Sequence, residues 1–209
     1  MTHEHPARHH RYITTASGQR IACPNIRTSQ IYLQDIAHSL ALQARYLGHT
    51  TRFYSVAEHS ALVALIARTR GESLLVQKCA LLHDAHEAYI GDFPSPFKVV
   101  VPELRDFERS VEIVVRERFE LPGFGDPLWA RVKQYDLQAL HYEAYSLFAS
   151  LPDWVDQTVL DEIPASVFSS YRDLGQTWQS AKREFEMWAL DLKLNPNDAN
   201  YAKPHIEPS

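Results

Sequence analysis

The sequence predicts an all-α protein, and three observations support that prediction. Helical patterns dominate from Ser29 onward, and the chain has only 7 glycines in 209 residues. Strand-like alternation is confined to "RYITTASGQRIACPN" near the start, which predicts a short β-hairpin turning at Ser17–Gly18. The length and the 45% hydrophobic content suit one domain over 1–209, with loose tails at about 1–10 and 195–209.

Two helices are predicted in the first third of the chain. Over 30–47, apolar side chains recur at spacings of three and four, which indicates one amphipathic face. The next helix begins with "SVAE", a capping box in which Ser55 is the N-cap and Glu58 reaches back to it. This second helix is expected to run to about Arg70.

The later helices are bounded by glycine and proline. A helix over 73–90 is expected to stop at Gly91, and Pro94 and Pro96 then predict a stiff, extended turn. Asp126–Pro127 is read as an N-cap followed by proline at the first helical position, which begins a helix to about residue 150. Further helices are predicted over 102–119, 164–174 and 176–192.

Composition excludes several classes of protein. A formal net charge of −5 gives no broad basic face, so no nucleic acid polymer is expected as a partner. No long apolar stretch predicts a membrane span, and the N-terminus lacks the apolar core of a signal peptide. Cys23 and Cys79 form neither a disulfide scaffold nor a zinc motif, and Cys79 is expected to be a small buried hydrophobe. A cytoplasmic location is therefore predicted.

Three groups of polar residues lie where apolar residues are expected. His59 lies in the middle of helix 55–70, which is apolar nearly all round and is therefore buried. Asp136 lies on the apolar stripe of helix 127–149. His83 and Asp84 follow the buried run "CALL", with Glu87 on the same side of the helix.

Each group also has an ordinary explanation. A single buried histidine is more often bonded to a backbone carbonyl than to a metal. Asp136 would fit a salt bridge between helices or a bond to backbone amides, because a buried carboxylate needs a partner or a proton. The His83–Asp84 segment, with His86 and Glu87, would fit an exposed helix end.

One hypothesis accounts for all three groups together, namely that they bind one divalent metal ion. The ligands would be His59, His83, Asp84 and Asp136. Two imidazoles and two carboxylates suit Mn²⁺, Co²⁺, Ni²⁺, Fe²⁺ or Zn²⁺ and leave positions open for water and substrate. Such an ion lowers the pKa of water and polarises a phosphoryl oxygen.

The pattern H…HD…D on successive buried helices resembles the HD-domain metal-dependent phosphohydrolases. The extended motifs are "SVAEHS", "LLHDAHEAYIGDFPSPFK" and "VKQYDLQAL". The form H-D-x-x-E-x-x-x-G-D-x-P-x-P-x-K is similar to the subgroup of bacterial 5'-deoxynucleotidases and phage-type deoxyadenosine triphosphate triphosphohydrolases. The resemblance covers about 30–150 and implies an all-α HD-type bundle, with a homodimer by analogy.

The resemblance also implies roles for single residues. Glu87 matches the glutamate near the attacking water and, with the ligand Asp84, is expected to take part in catalysis. Asp92 matches an aspartate that accepts from the sugar 3'-hydroxyl, and Lys98 and Arg45 are candidate phosphate binders. Arg45–Tyr46 falls about where the subgroup has an Arg-Trp pair, so Tyr46 is a candidate for stacking on the base.

The expected function is 5'-dephosphorylation of 2'-deoxynucleoside monophosphates by a water molecule that the metal activates. A triphosphohydrolase is the alternative, because His38, His49, Arg52 and Lys98 offer further positive charge for the leaving phosphates. His38, Arg45 and His49 would form one stripe of helix 30–47, for which solvated surface is the competing interpretation. A catalytically silent HD-fold binding module and a purely structural protein with buried ion pairs remain further alternatives.

Overall fold

The N-terminal hairpin is present as predicted. The computed structural model describes residues 12–22, 25–171 and 177–194. Strands β1 (Tyr12–Thr14) and β2 (Arg20–Ala22) pair antiparallel, with Ile13 opposite Ile21. Ser17, at the hairpin turn, donates from its backbone nitrogen and from its hydroxyl to the Asp35 carboxylate, at 2.7 Å each. The predicted tails lie outside the described residues.

Helices form the rest of the described chain, which confirms the all-α prediction. Short 3-10 turns occupy Thr28–Gln30 and Arg45–Gly48. The α-helices are α1 (Leu33–Leu42), α2 (Val56–Thr69), α3 (Leu74–Leu82), α4 (Glu87–Ile90), α5 (Ser95–Val100), α6 (Glu103–Arg118), α7 (Leu128–Leu147), α8 (Gln157–Asp161), α9 (Ala165–Tyr171) and α10 (Trp178–Asp191). No helix among the described residues is long and apolar enough to span a membrane.

Helix α2 is the centre of the fold. It packs against α1, α3, α7 and α10, and it is buried on nearly every side, as its apolar sequence predicts. Its capping box is formed, since the Ser55 hydroxyl accepts from the Glu58 amide at 3.2 Å and the Glu58 carboxylate accepts from the Ser55 amide at 2.9 Å. His59 is fully buried on this helix.

The predicted helix 30–47 is too long, because α1 ends at Leu42. After α1 the chain is extended, and the Arg45 amide donates to the Tyr54 carbonyl at 2.9 Å. Tyr46 and Leu47 then adopt left-handed conformations with φ of 56° and 53°. The apolar spacing continues to Leu47, but that side chain is 57% exposed. The expected stripe of His38, Arg45 and His49 on one helix therefore does not form.

The predicted helix 73–90 is interrupted at the motif itself. Helix α3 ends at Leu82, a turn follows, and the Glu87 amide donates to the Asp84 carbonyl at 3.0 Å as α4 begins. Gly91 ends α4 as predicted, with a φ of 92° that favours glycine. The interruption allows His83, Asp84 and Glu87 to face one region without following a single helical stripe.

Two predictions around the prolines need correction. Pro94 is extended, but the expected stiff turn is helix α5, with Pro96 in its first turn where no backbone donor is needed. Asp126 accepts from the Leu128 amide at 2.9 Å, so the predicted cap exists, although Pro127 precedes the first residue of α7. Helix α8 was not predicted, and residues 172–176 lie outside the described residues.

Candidate metal centre

The four predicted metal ligands come together between α2, α7 and the turn after α3. His59 Nε2 lies 3.1 Å from His83 Nε2 and 3.2 Å from Asp136 Oδ1. Asp84 Oδ2 lies 3.1 Å from His83 Nε2 and 3.5 Å from His59 Nε2, and His83 Nε2 lies 3.8 Å from Asp136 Oδ1. Within this group, the donor atoms of His59, His83 and Asp84 all lie within 4.8 Å of one another.

These separations suit a first-row metal ion. Bonds of about 2.0–2.2 Å at octahedral or tetrahedral angles place neighbouring donor atoms about 2.8–3.6 Å apart. Four of the five separations given above, from 3.1 to 3.5 Å, lie in this range, and the His83–Asp136 separation of 3.8 Å lies just outside it. The group is also well shielded, because His59 is fully buried and the side chains of Asp84 and Asp136 are 19% and 17% exposed.

Hydrogen bonds fix which ring nitrogen each histidine presents. His83 Nδ1 lies 2.8 Å from the Ala80 carbonyl, which only accepts, so Nδ1 carries the proton. His59 Nδ1 lies 2.5 Å from Glu143 Oε1 and donates to it in the same way. Both Nε2 atoms therefore present lone pairs to the two carboxylates and to each other. Without further protons, such a cluster of acceptors is electrostatically unfavourable, and a divalent metal ion would offset the repulsion.

The pKa directions show the same demand for positive charge. Burial lowers the pKa of His83, but Asp84 and Asp136 outweigh burial, so that the pKa is raised well above its ordinary value. Burial raises the pKa of Asp84, but His83 and His59 hold it well below its usual range. The carboxylates are thus held ionised, as metal ligands must be.

Asp136 also contacts a residue that the sequence analysis did not single out. Its Oδ1 faces the two histidines, and its Oδ2 accepts from Lys133 Nζ at 2.6 Å, one turn earlier on α7. The Lys133 side chain is 78% exposed. Asp136 therefore points inward as its stripe predicted, with the lysine at the outer edge of the centre.

Glu143 is the second residue that sequence reasoning missed. It is fully buried on α7 and lies against His59. Burial raises the pKa of Glu143, but Arg45 and His59 outweigh burial and lower it, so the buried carboxylate is ionised. Its position on the same helical stripe as Asp136, two turns later, was the signal that could have identified it.

Arg45 and Tyr46 lie beside the centre. Arg45 Nη1 is 3.6 Å from Asp84 Oδ2, and Arg45 Nε is 3.3 Å from Glu143 Oε2. Tyr46 donates from its hydroxyl to Glu143 Oε2 at 2.6 Å, and its ring packs edge-on against Phe148. Arg45 thus lies near Asp84, one of the predicted metal ligands. Tyr46 contacts Glu143 and Phe148, and its stacking on a base stays a prediction.

Glu87 differs from the carboxylates of Asp84, Asp136 and Glu143, whose pKa values are lowered. It is 4% exposed, and its Oε2 has no hydrogen-bond partner among the described residues. Burial raises the pKa of Glu87 well above its ordinary value, and the nearby carboxylates of Asp84 and Asp92 raise it further. A buried carboxyl group without a partner is expensive to maintain, which is typical of a group reserved for chemistry.

Asp92 and Lys98 both interact electrostatically with Glu87, but Lys98 also forms an ion pair with another residue. Burial raises the pKa of Asp92, Arg45 lowers it and Asp84 raises it. Asp92 is therefore close enough to the centre to interact electrostatically with its charged residues. Lys98 Nζ lies 2.7 Å from Glu108 Oε1 on α6. The lysine ammonium is therefore already held by a carboxylate.

The remaining candidate cations contact other parts of the molecule. His38 packs edge-on against Trp178 and lines a cavity of about 410 Å³ between the hairpin, α1 and α4. His49 is exposed in the loop after Gly48. Arg52 Nη1 lies 3.0 Å from Glu58 Oε1. The described contacts do not link any of these three side chains directly to the four metal ligands.

Other polar residues have structural roles. His141 is buried, accepts from the Asp156 amide at 2.9 Å and packs against Trp154. His86 is buried, and burial lowers its pKa. Cys79 is fully buried, as predicted.

Comparison with known proteins identifies the family. A family model described as "5'-deoxynucleotidase YfbR-like" matches residues 40–122, which include His59, His83, Asp84 and Glu87. The uncharacterized protein YfdR of Escherichia coli (strain K12) is 36% identical over 158 residues, which are 74% of this chain and 82% of YfdR. An uncharacterized protein of Rhodobacter capsulatus is 37% identical over 134 residues, 61% of this chain and 68% of that protein. The chain belongs to the YfbR-like family of the HD-domain superfamily.

Proposed function

We propose that this protein is a divalent-metal-dependent phosphohydrolase that removes the 5'-phosphate of 2'-deoxynucleoside monophosphates. The observation that carries the proposal is the unpartnered Glu87 carboxyl group, buried beside a cluster of acceptors suited to a metal ion. The YfbR-like family supports the same reaction class. His59, His83, Asp84 and Asp136 would hold the ion, which when bound lowers the pKa of water and offsets negative charge on the phosphoryl group.

Glu87 is proposed to act on the attacking water. Burial and the nearby carboxylates raise the pKa of Glu87 well above its ordinary value, which favours a carboxyl group that can take or give a proton as a general acid or base does. Its free Oε2 leaves one acceptor position for a water molecule or a substrate oxygen. Asp84, at the same turn, keeps its negative charge, so the two carboxyl groups have separate roles.

Arg45 is proposed to bind the phosphate. It is the cation nearest to Asp84, at 3.6 Å, and its guanidinium presents several fixed donors to phosphoryl oxygens. The ion pair with Glu143 orients the side chain before substrate arrives. Such prior orientation makes stabilisation of developing charge effective, because little reorganisation is needed during the reaction.

Asp92 and its neighbours support a deoxynucleoside substrate. The carboxylate of Asp92 follows the Gly91 turn and interacts electrostatically with Arg45 and Asp84, which supports a role as acceptor for a sugar 3'-hydroxyl. The adjacent Phe93–Pro94 would provide the close wall that excludes a ribose 2'-hydroxyl.

The contacts favour a monophosphate over a triphosphate. A triphosphohydrolase requires several further cations around the leaving phosphates. Lys98 and Arg52 are instead paired with Glu108 and Glu58. His38 faces the separate cavity beside the hairpin. The positive charge directly against the metal ligands in the described chain comes from Arg45 and Lys133.

The test is a panel of deoxy- and ribonucleoside mono- and triphosphates with Mn²⁺, Co²⁺ or Zn²⁺. Free phosphate and free triphosphate are separated by chromatography. Orthophosphate released from deoxynucleoside monophosphates is the expected result. Intact triphosphate as product would replace the proposal by the triphosphohydrolase, and binding without turnover would replace it by the silent binding module.

A further inference from the structure

The Glu143 carboxylate collects an unusual set of donors for a group with no solvent contact. Its Oε1 lies 2.9 Å from the Tyr54 hydroxyl and 2.5 Å from His59 Nδ1. Its Oε2 lies 2.6 Å from the Tyr46 hydroxyl and 3.3 Å from Arg45 Nε. The side chain is 0% exposed. A buried charge is tolerated only with such pairing, and here every partner belongs to the candidate centre or to the segment that leads into it.

We propose that Glu143 is the positioning residue of the metal centre, which sets the His59 tautomer and holds Arg45 in place. The contact with Oε1 keeps the proton on His59 Nδ1, so that Nε2 offers its lone pair to the ion. The contact with Oε2 ties Arg45 and the left-handed Tyr46 to the same carboxylate. Glu143 thus couples the metal ligand to the proposed phosphate-binding residue.

The backbone of the Arg45 segment supports this role. Tyr46 has φ of 56° and Leu47 has φ of 53°, conformations that cost energy for residues with a Cβ atom. The Tyr46 hydroxyl reaches Glu143 from this strained position. A conformation of this kind persists where surrounding contacts overdetermine it, and the bond to a buried carboxylate is such a contact.

The substitution Glu143→Gln removes the negative charge of the side chain but keeps its shape. Glu143 faces three hydrogen-bonding groups and the positively charged Arg45 guanidinium, whereas an amide offers one acceptor and one donor group. If the amide oxygen faces His59, the amide nitrogen faces the Arg45 guanidinium, which cannot accept. If the amide is reversed, its N–H faces His59 Nδ1 and favours the wrong tautomer. In both orientations His59 loses the negative charge that raises its basicity as a ligand.

Glu72 provides a matched control. It accepts from the Tyr135 hydroxyl at 2.6 Å and pairs with Arg131 at 2.8 Å, so it resembles Glu143 in its tyrosine and arginine partners. Among the described residues, its carboxylate forms no hydrogen bond or ion pair with His59, His83, Asp84 or Asp136. Glu72→Gln therefore removes a similar carboxylate without touching the candidate centre.

The experiment measures Co²⁺ binding to the full chain by its visible absorption, with no substrate present. Glu143→Gln is expected to bind Co²⁺ about 10–100-fold more weakly than wild type with an altered spectrum, as loss of a group behind a ligand histidine typically does. Glu72→Gln is expected to match wild type. Binding by Glu143→Gln within about twofold of both, with an unchanged spectrum, would overturn the inference.

A second measurement needs no variant and covers the case in which Glu143→Gln does not fold. In ¹⁵N-labelled wild type with Zn²⁺, His59 should carry its proton on Nδ1 and bind the metal through Nε2. Ligation through Nδ1 would contradict the proposal. The inference rests on the metal dependence of the proposed function but not on its substrate. Absence of Co²⁺ binding in wild type would reject both, whereas normal binding by Glu143→Gln would reject only the role of Glu143.

Discussion

Two buried glutamates near the candidate centre lie on different helices, and their surroundings differ sharply. On the α7 side, Glu143 is fully buried, accepts from two tyrosine hydroxyls and from His59, and forms an ion pair with Arg45. On the α4 side, Glu87 is 4% exposed and keeps one oxygen without a partner in the described chain. The pKa of Glu143 is lowered and that of Glu87 is raised well above its ordinary value.

The difference supports separate roles for the two glutamates, with Glu143 positioning other groups and Glu87 taking part in the proposed reaction. Pairing on the α7 side fixes the charge and position of Glu143, which suits a group that must not move or change protonation. The lack of pairing on the α4 side leaves Glu87 able to bind water and exchange a proton. Burial alone does not distinguish the two glutamates, because both are buried. Their hydrogen-bond partners do.

The largest expected effect follows from removing a ligand that both sides share. Asp84→Ala should abolish stable metal binding and lower kcat/KM by at least about 10³-fold, since the metal supplies several kcal/mol of charge stabilisation. Metal content by mass spectrometry and hydrolysis by phosphate release are the measurements. A folded variant, judged by circular dichroism, with wild-type metal content and turnover would show that the centre is elsewhere.

Changing the α4 side alone should separate chemistry from metal binding. Glu87→Gln keeps the shape but removes the exchangeable charge, and we expect kcat to fall by about 10²–10⁴-fold with metal content retained. The measurement is steady-state turnover at saturating metal beside a metal assay. Equal loss of metal and activity would instead make Glu87 a ligand, and unchanged kcat would remove it from catalysis.

Arg45 lies between the two sides and should affect the substrate more than the metal. Arg45→Lys keeps the charge but loses the planar set of donors, and we expect kcat/KM to fall by about 10–100-fold, the value of one or two charge-assisted hydrogen bonds. Co²⁺ affinity should change much less. Kinetics with a deoxynucleoside monophosphate and Co²⁺ titration give the two numbers, and a variant with unchanged kcat/KM would exclude Arg45 from phosphate binding.

The smallest expected effect is on the free energy of unfolding, and it is tested by removing either the Tyr54 hydroxyl, which bonds to Glu143, or the Ser60 hydroxyl. Tyr54→Phe removes a donor to the ionised Glu143 and should lower the free energy of unfolding by about 1.5–3 kcal/mol. The Ser60 hydroxyl is buried and has no partner among the described residues, so Ser60→Ala should leave stability unchanged or raise it by up to about 1 kcal/mol. Urea denaturation of metal-free protein measures both. Similar losses for the two variants would contradict the distinction.

The sequence by itself determined the helical class and the inward-facing residues. The apolar pattern of α2 predicted that His59 is buried, and the stripe on α7 predicted that Asp136 points inward. The capping box at Ser55 and the end of α4 at Gly91 also followed from local signals. These features were predictable because helical period, caps and glycine turns depend on neighbours within a few residues.

Only the tertiary structure decided where the helices break and which carboxyl groups are paired. Apolar spacing continued through Leu47, yet α1 ends at Leu42 because the following segment is held by Tyr54 and Glu143, and the latter lies 97 residues from Tyr46. The sequence also did not reveal that the pKa of Glu143 is lowered while that of Glu87 is raised. The free energy of a buried charge depends on donors that distant segments bring within hydrogen-bonding distance, and no local pattern contains that information.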